Sequence, residues 1–289
     1  MTATPKVAAI HDISGFGRCS LTVALPVLSC CGVETSVMPT AVLSTHTGGF
    51  EGYTYRDLTD DLLPMAEHWR KVGARFQSLY SGFLGSAGQI GLVEQVFDWF
   101  KGEDTLIMVD PVMGDGGKLY RTYTQEMADG MARLCQKADI VVPNMTEACH
   151  LLGRPYNPGP YTREEIRGIL RQLCALGPKM AVLTGVWLNE GSLGTACYDA
   201  RTGEAELYLT DRIEGFYHGT GDLFASALLG GLLNGGSLTG SCEIATEFTW
   251  RTIETTFEKS ADYRFGPKFE CHLPWLAEKM EACRKTVAN

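Results

Sequence analysis

The sequence contains no run of about 18 apolar residues, so nothing in it reads as a membrane-spanning helix. None of its ten cysteines forms a Cys-x-x-Cys pair, which argues against a zinc site. Cys30 and Cys31 are adjacent, and Cys135, Cys149, Cys174 and Cys242 lie in apolar helical contexts, the pattern of buried free thiols in a reducing compartment. Met1 to Lys6 lead straight into an apolar stretch with no signal-peptide pattern, and a cytoplasmic protein is the expectation. Positive charge is also short. With 25 Lys and Arg against 34 Asp and Glu, the formal net charge is −9, a poor match to nonspecific nucleic-acid or anionic-membrane binding. A locally positive site for a small anion stays open. No linker, low-complexity segment or repeat interrupts the chain, so residues 1–289 read as one domain.

What is present is a 45% hydrophobic chain of 289 residues in which strand-like and helix-like stretches alternate. Val7 to Ile10 reads as a short strand before a Gly-rich turn, Leu21 to Cys31 as a buried helix, and Val33 to Met38 as a second strand. Tyr55 to Val72 is amphipathic and reads as a helix stopped by Gly73. Ser78 to Ser81, Thr105 to Val109, Ile140 to Val142 and Met180 to Leu183 are further strand candidates. Thr105 to Val109 is apolar throughout, as in a parallel sheet covered on both faces. Between them, Ser86 is positioned to cap a helix reaching Phe100, Gln125 to Lys137 is helical, and Thr162-Arg163-Glu164-Glu165 is a capping box. Leu193 to Tyr198 and Glu204 to Leu209 flank a hairpin turn, and the chain after Asp222 is mainly helical. The expected fold is an α/β sandwich: a mostly parallel sheet, helices on both faces and an antiparallel hairpin at one edge. Ligands of such sheets bind beyond the carboxyl ends of the strands.

Several polar motifs stand at that end. His218-Gly219-Thr220-Gly221-Asp222 opens an apolar helix, where glycines and the helix N-terminus can bring N–H groups onto an anion. Taken alone, it is equally a capped buried helix. Asp110-Pro111-Val112-Met113-Gly114-Asp115 follows the clearest strand, and Asp110 there can reach Mg²⁺, or simply form an Asp-Pro turn. Pro143-Asn144-Met145-Thr146-Glu147 follows the next strand, and Glu147 is either a second metal carboxylate or a helix-start acid. Ser14-Gly15-Phe16-Gly17-Arg18 departs from the dinucleotide-binding spacing but leaves Ser14 as a hydroxyl donor. Ser44-Thr45-His46-Thr47-Gly48-Gly49 is a polar turn able to hydrogen-bond a heterocycle. His11, His68, His150 and His272 show no metal-ligand spacing.

In this order the motifs resemble the ribokinase-like superfamily, and within it the vitamin B6 kinases, pyridoxal or pyridoxamine kinase, from about Val7 to Glu258. Ser44-Thr45-His46-Thr47-Gly48 is similar to their pyridoxal-contacting loop, which typically reads Ser-Asn-His-Thr. The resemblance implies a single-domain three-layer sandwich and a homodimer that transfers phosphate from ATP to a hydroxymethyl group with Mg²⁺. It is also compatible with a monovalent cation. It implies that Asp222 is the general base, that Gly219, Thr220 and Gly221 form the anion hole, and that Asp110 and Glu147 organise Mg²⁺. Asn144, Thr184 and Gly185 would serve ATP, while Ser14, His46, Thr47 and Tyr120 would hold or cover the pyridine ring. A helix start is expected to keep Asp222 ionised. The first loop, Asp12 to Arg18, departs from the B6 kinases, and Val142 stands where some relatives carry Thr. His218 resembles the hydroxymethylpyrimidine kinases of thiamine synthesis, which are the alternative. A catalytically inactive B6-binding regulator is a third reading, opposed by the presence of Asp222, Asp110 and Glu147 together.

Overall fold

The computed structural model describes residues 4–260 and 262–288. Its strands are β1 (Lys6–Phe16), β2 (Glu34–Thr45), β3 (Tyr55–Asp57), β4 (Ser78–Ser81), β5 (Leu106–Val109), β6 (Gly114–Asp115), β7 (Lys118–Leu119), β8 (Ile140–Val141), β9 (Met180–Val186), β10 (Ser192–Asp199) and β11 (Ala205–Asp211). Its helices are α1 (Leu21–Cys30), α2 (Thr59–Lys71), α3 (Ala87–Phe100), α4 (Gln125–Gln136), α5 (Met145–Leu151), α6 (Arg163–Ala175), α7 (Thr220–Leu233), α8 (Leu238–Lys259) and α9 (Leu273–Ala288).

Among the described residues the strands form a nine-stranded sheet in the order β11-β10-β9-β8-β5-β4-β1-β2-β3, with β6 and β7 as a separate hairpin. From β2 to β9 the neighbours run parallel. The reason is visible in side-chain alternation. Ala8 and Ile10 point into one core, shared with α2 to α6, while Val7 and Ala9 point into another, shared with α1, α7, α8 and α9. Ile107 and Val109 split from Met108 in the same way. Each central strand is covered on both faces and is therefore largely apolar, with buried polar exceptions such as Ser78 and Ser81 on β4. Phe97 on one side and Phe248 on the other are fully buried, each worth about 1.5–3 kcal/mol relative to exposure.

The expected hairpin is β10 and β11, antiparallel to each other and joined antiparallel to β9. The other edge is antiparallel too, which the sequence reading missed. Tyr55–Asp57 is not the start of a helix but a strand paired with Ala41 to Leu43. The helix begins only at Thr59, whose N–H donates to the Asp57 carboxylate at 2.7 Å. The first two strands also run further than expected. β1 continues through Ser14 to Phe16 and β2 through Thr45, because Ile13 to Phe16 pair with Val42 to Thr45 beyond a register shift. Ser14 is therefore on a strand rather than on a turn. The helix caps expected at Ser86 and Thr162 are both made, the latter as a full capping box.

Candidate active site

The carboxyl ends of β1, β2, β5, β8 and β9 and the start of α7 open onto one cleft of about 440 Å³. It is lined by all of Ser14, His46, Thr47, Asp110, Tyr120, Asn144, Glu147, Thr184, Gly185, Gly219, Thr220, Gly221 and Asp222. Motifs spread over more than 200 residues of sequence thus share a single wall. Among the described residues the lining contains no Lys or Arg, although Asp12, Asp110, Asp115, Glu147, Asp211 and Asp222 all contribute.

Gly219 is the N-cap of α7, in the left-handed region at φ 82°, and makes no side-chain cap hydrogen bond. Any larger residue would be strained there, and a Cβ would run into the Arg18 carbonyl oxygen. The first-turn N–H groups, which a helix cannot satisfy internally, therefore stand at the cleft wall. Thr220 adds no free hydroxyl, since its Oγ1 donates to the Tyr217 carbonyl at 3.0 Å. Asp222 follows at the third helical position and is buried. Its Oδ2 accepts the Ser20 N–H at 2.8 Å and the Cys19 thiol at 3.5 Å. The helix start was expected to hold this carboxyl low. Burial outweighs it and, with Asp12 nearby, pushes the pKa up to about 6 despite the Ser20 and Cys19 hydrogen bonds. The group remains mostly ionised at neutral pH and is a stronger base than an exposed aspartate.

Asp110 directly follows β5, its N–H bonded to the Ser81 carbonyl at 2.9 Å. Burial, Glu147 and Asp222 all push its pKa up. Glu147 is fixed by a capping box at α5: it accepts the Asn144 N–H at 2.8 Å and the Met113 N–H at 3.1 Å. Burial raises it to about 8 despite those bonds. Two buried carboxylates that disfavour each other's charge are the donor set a hard cation relieves. Mg²⁺ is commonly held by one or two carboxylates together with substrate phosphates, so this pair fits it. Among the described residues no group of three or more His, Cys, Asp or Glu side chains forms an all-protein metal cage. Asn144 acts here as scaffold. Its Oδ1 accepts the Glu147 N–H at 3.0 Å, and its Nδ2 donates to the Gly114 carbonyl at 2.9 Å, tying the β6–β7 hairpin to α5. Thr184 is bound to the same corner, its N–H donating to the Pro143 carbonyl at 3.0 Å. Beyond it the cleft continues along Leu193, Ile213, Trp250 and Ile253, a largely apolar wall that the motifs did not announce.

At the other end, Ser14 does not face the cleft alone. Its hydroxyl donates to Asp12 Oδ2 at 2.9 Å, and the Ser20 hydroxyl donates to Asp12 Oδ1 at 2.5 Å. Ser20 is the only non-glycine with positive φ, 54°, among the described residues. That strained backbone presents its N–H to Asp222 and its hydroxyl to Asp12. His46 is buried, with Nε2 2.6 Å from the Arg264 carbonyl oxygen and its ring 4.7 Å from that of His218. Burial lowers the pKa of both histidines, His218 to about 4. They are therefore neutral hydrogen-bonding rings rather than cations. Tyr120, on the segment after β7, is 40% exposed, and its N–H donates to the Met113 carbonyl at 2.9 Å. Asp12, Cys19 and Ser20 were missed as site residues. For Asp12 a signal existed, a carboxylate near the end of the first strand. For Cys19 and Ser20 there was none, because their roles come from contacts across some 200 residues of chain.

A family model described as phosphomethylpyrimidine kinase matches residues 65–266. A Bacteroides thetaiotaomicron protein provisionally named a phosphomethylpyrimidine kinase is 37% identical, with 95% of this chain and 94% of that one covered and a TM-score of 0.92. A second crystal form of it, solved with pyridoxal, gives a TM-score of 0.91 over 95% and 96% of the two chains. Pyridoxal kinase from Lactobacillus plantarum is 30% identical over 97% of this chain and 99% of its own, with a TM-score of 0.87. The pyridoxine/pyridoxal/pyridoxamine kinase of Bordetella avium is 27% identical over 86% of this chain and 85% of its own length. The matched family model spans well over half the sequence, and the protein belongs to the phosphomethylpyrimidine kinase family, built on the ribokinase-like fold.

Proposed function

We propose that this protein is an ATP-dependent kinase that phosphorylates the hydroxymethyl group of a vitamin B6 vitamer: pyridoxal, pyridoxamine or pyridoxine. The observation that carries this reading is the meeting, in one cleft, of Asp222 at the start of α7 with the buried carboxylates Asp110 and Glu147. The similarity to a protein crystallised with pyridoxal and to a pyridoxal kinase, each with nearly the whole of both chains covered, supports the choice of substrate.

A primary alcohol is a weak acid, so its proton has to leave as the new P–O bond forms. Asp222 accepts that proton while the alkoxide-like oxygen attacks the γ-phosphorus and the bond to the departing ADP breaks. The N–H groups at Gly219, Thr220 and Gly221 and the positive end of α7 face the charge on the transferring phosphoryl group. Asp110 and Glu147 would hold Mg²⁺, which would supply the charge neutralisation of the triphosphate that the cationless lining does not. The nucleotide base lies along Leu193, Ile213 and Ile253, past Thr184 and Gly185. Asp12 with Ser14, and His46 with His218, face the heterocycle, with Thr47 beside them and Tyr120 across the opening. A homodimer, a cytoplasmic location and a monovalent cation beside the Mg²⁺ belong to the same proposal. The ten free cysteines accord with a reducing compartment. No helix among the described residues is long and apolar enough to cross a membrane.

The second reading is a hydroxymethylpyrimidine kinase, favoured by the family description and by His218 next to the anion hole. Pyridoxal, pyridoxamine, pyridoxine and hydroxymethylpyrimidine, assayed in parallel for ATP consumption, separate the readings. Fastest turnover of a B6 vitamer is expected. Fastest turnover of the pyrimidine would replace the first reading by the second, and tight binding without turnover would leave a binding protein.

A further inference from the structure

The base has a neighbour that the mechanism above does not use. His11 lies on β1, fully buried, with its ring edge-to-face on Tyr80 at 4.3 Å between centroids. Among the described residues, neither of its ring nitrogens has a hydrogen-bond partner. Burial lowers its pKa to about 3, so the ring is neutral, with one N–H donor and one bare nitrogen. A buried polar group without a partner is disfavoured, and the sequence could have placed an apolar residue here, as it does at Val7 and Ala9 on the same face of β1. Three neighbours face the ring across known contacts. Tyr80 and Gly82 come from β4 and the residue after it, and Asp222 comes from α7. Gly82 leaves no slack, since a Cβ there would collide with the imidazole.

Asp222 Oδ1 stands 3.9 Å from His11 Nδ1. The other carboxylate oxygen, Oδ2, is already held by the Ser20 N–H and the Cys19 thiol. Oδ1 is therefore the oxygen left to meet the substrate hydroxyl, and His11 is the polar side chain behind it. At 3.9 Å the contact is too long to be a hydrogen bond, but an approach of about 1 Å makes it one. Catalytic hydrogen bonds often stand this long without substrate and tighten in the substrate complex.

We propose that His11 is a positioning residue for the general base. Its Nδ1–H closes onto Asp222 Oδ1 when substrate is bound and fixes the plane of the carboxylate, so that the remaining lone pair of Oδ1 points at the hydroxyl to be deprotonated. The inference rests on Asp222 being the base, but not on which hydroxymethyl heterocycle is the substrate.

The test compares His11→Phe, which keeps a ring and loses both nitrogens, with His11→Asn, whose amide N–H falls close to the place of Nδ1. Wild type is assayed alongside with Mg·ATP and pyridoxal. A misplaced catalytic group costs up to about a hundredfold. For His11→Phe, kcat is expected to fall between about tenfold and a hundredfold, with KM for ATP and pyridoxal within about twofold. For His11→Asn most of that loss is expected to be recovered. An unchanged kcat in His11→Phe, or equal losses in both variants at equal melting temperature, would overturn the proposal. If His11→Phe does not fold, His11→Gln replaces it, with its amide at the place of Nε2. A smaller loss in His11→Asn than in His11→Gln then supports the proposal, and equal losses overturn it. Absence of turnover in the wild-type protein itself would instead strike the kinase reading, which keeps the two failures distinct.

Discussion

At the end of the cleft proposed to take the phosphates, each carboxylate stands beside the element that aims it. Asp110 directly follows β5, Glu147 sits in the capping box that opens α5, and Asp222 lies three residues into α7. At the ring end no side chain stands alone. Asp12 is held by Ser14 and by the strained Ser20, His46 is held by the Arg264 carbonyl, and His218 packs on His46. The first end carries three buried carboxylates, each beside the end of a strand or the start of a helix. The second sets one carboxylate, Asp12, held by hydroxyls from its own stretch of chain, beside two neutral imidazoles packed together across the fold. Under the proposed function, the difference predicts that the chemical step and the choice of heterocycle are separable. Substitutions at the first end should act on kcat, and substitutions at the second on KM.

The largest effect expected is at Asp222. Asp222→Asn should lower kcat by about 10³-fold, the scale of a lost general base, while ATP affinity measured by calorimetry stays within about twofold. A comparable loss of ATP binding would merge the two functions that the comparison separates. Next comes the metal pair. Glu147→Gln should cost about a hundredfold in kcat, the scale of a misplaced reacting group, and raise the Mg²⁺ concentration needed for half-maximal rate. Excess chelator should stop wild-type turnover, and full activity in chelator would refute the metal assignment. A smaller change is expected at the ring end. Asp12→Asn should raise KM for the B6 vitamer about tenfold, roughly one well-placed hydrogen bond, with kcat and KM for ATP nearly unchanged. A kcat loss as large as that of Asp222→Asn would show that the ends are not separable.

The smallest effect concerns pH. Asp222 titrates near 6 in the folded protein, against an ordinary 3.8. For activity the sign is simple: the base must be ionised, so kcat/KM should fall about tenfold per pH unit below about 6 and level off above it. For stability the sign is opposite. The folded form holds this proton more tightly than the unfolded chain, so the contribution is complete below the unfolded value and is lost as pH rises through about 6. The ligand-free melting temperature should accordingly drop across that window, and less steeply in Asp222→Asn. An equal slope in both proteins would assign the effect to other groups.

Much of the fold was legible because a doubly covered parallel sheet writes itself as apolar runs, as at Leu106–Val109. The edges were not. Tyr55–Asp57 is exposed along its length, and its pairing with Ala41 to Leu43 is a partner's property rather than its own. The site divides in the same way. Asp110, Glu147 and Asp222 could be picked out because each stands next to the element that aims it. Cys19 and Ser20 could not, because Asp222, the carboxylate they hold, lies about 200 residues away in the chain. Even at Asp222, local reasoning captured the helix start and missed the burial that outweighs it.

The most direct test incubates wild-type protein and Asp222→Asn with Mg·ATP and pyridoxal and follows the product by mass spectrometry. The account expects one phosphoryl group on the pyridoxal hydroxymethyl oxygen with wild type, and almost none with the variant, although the variant still binds ATP. Equal phosphorylation by both proteins, or none by wild type, would contradict it.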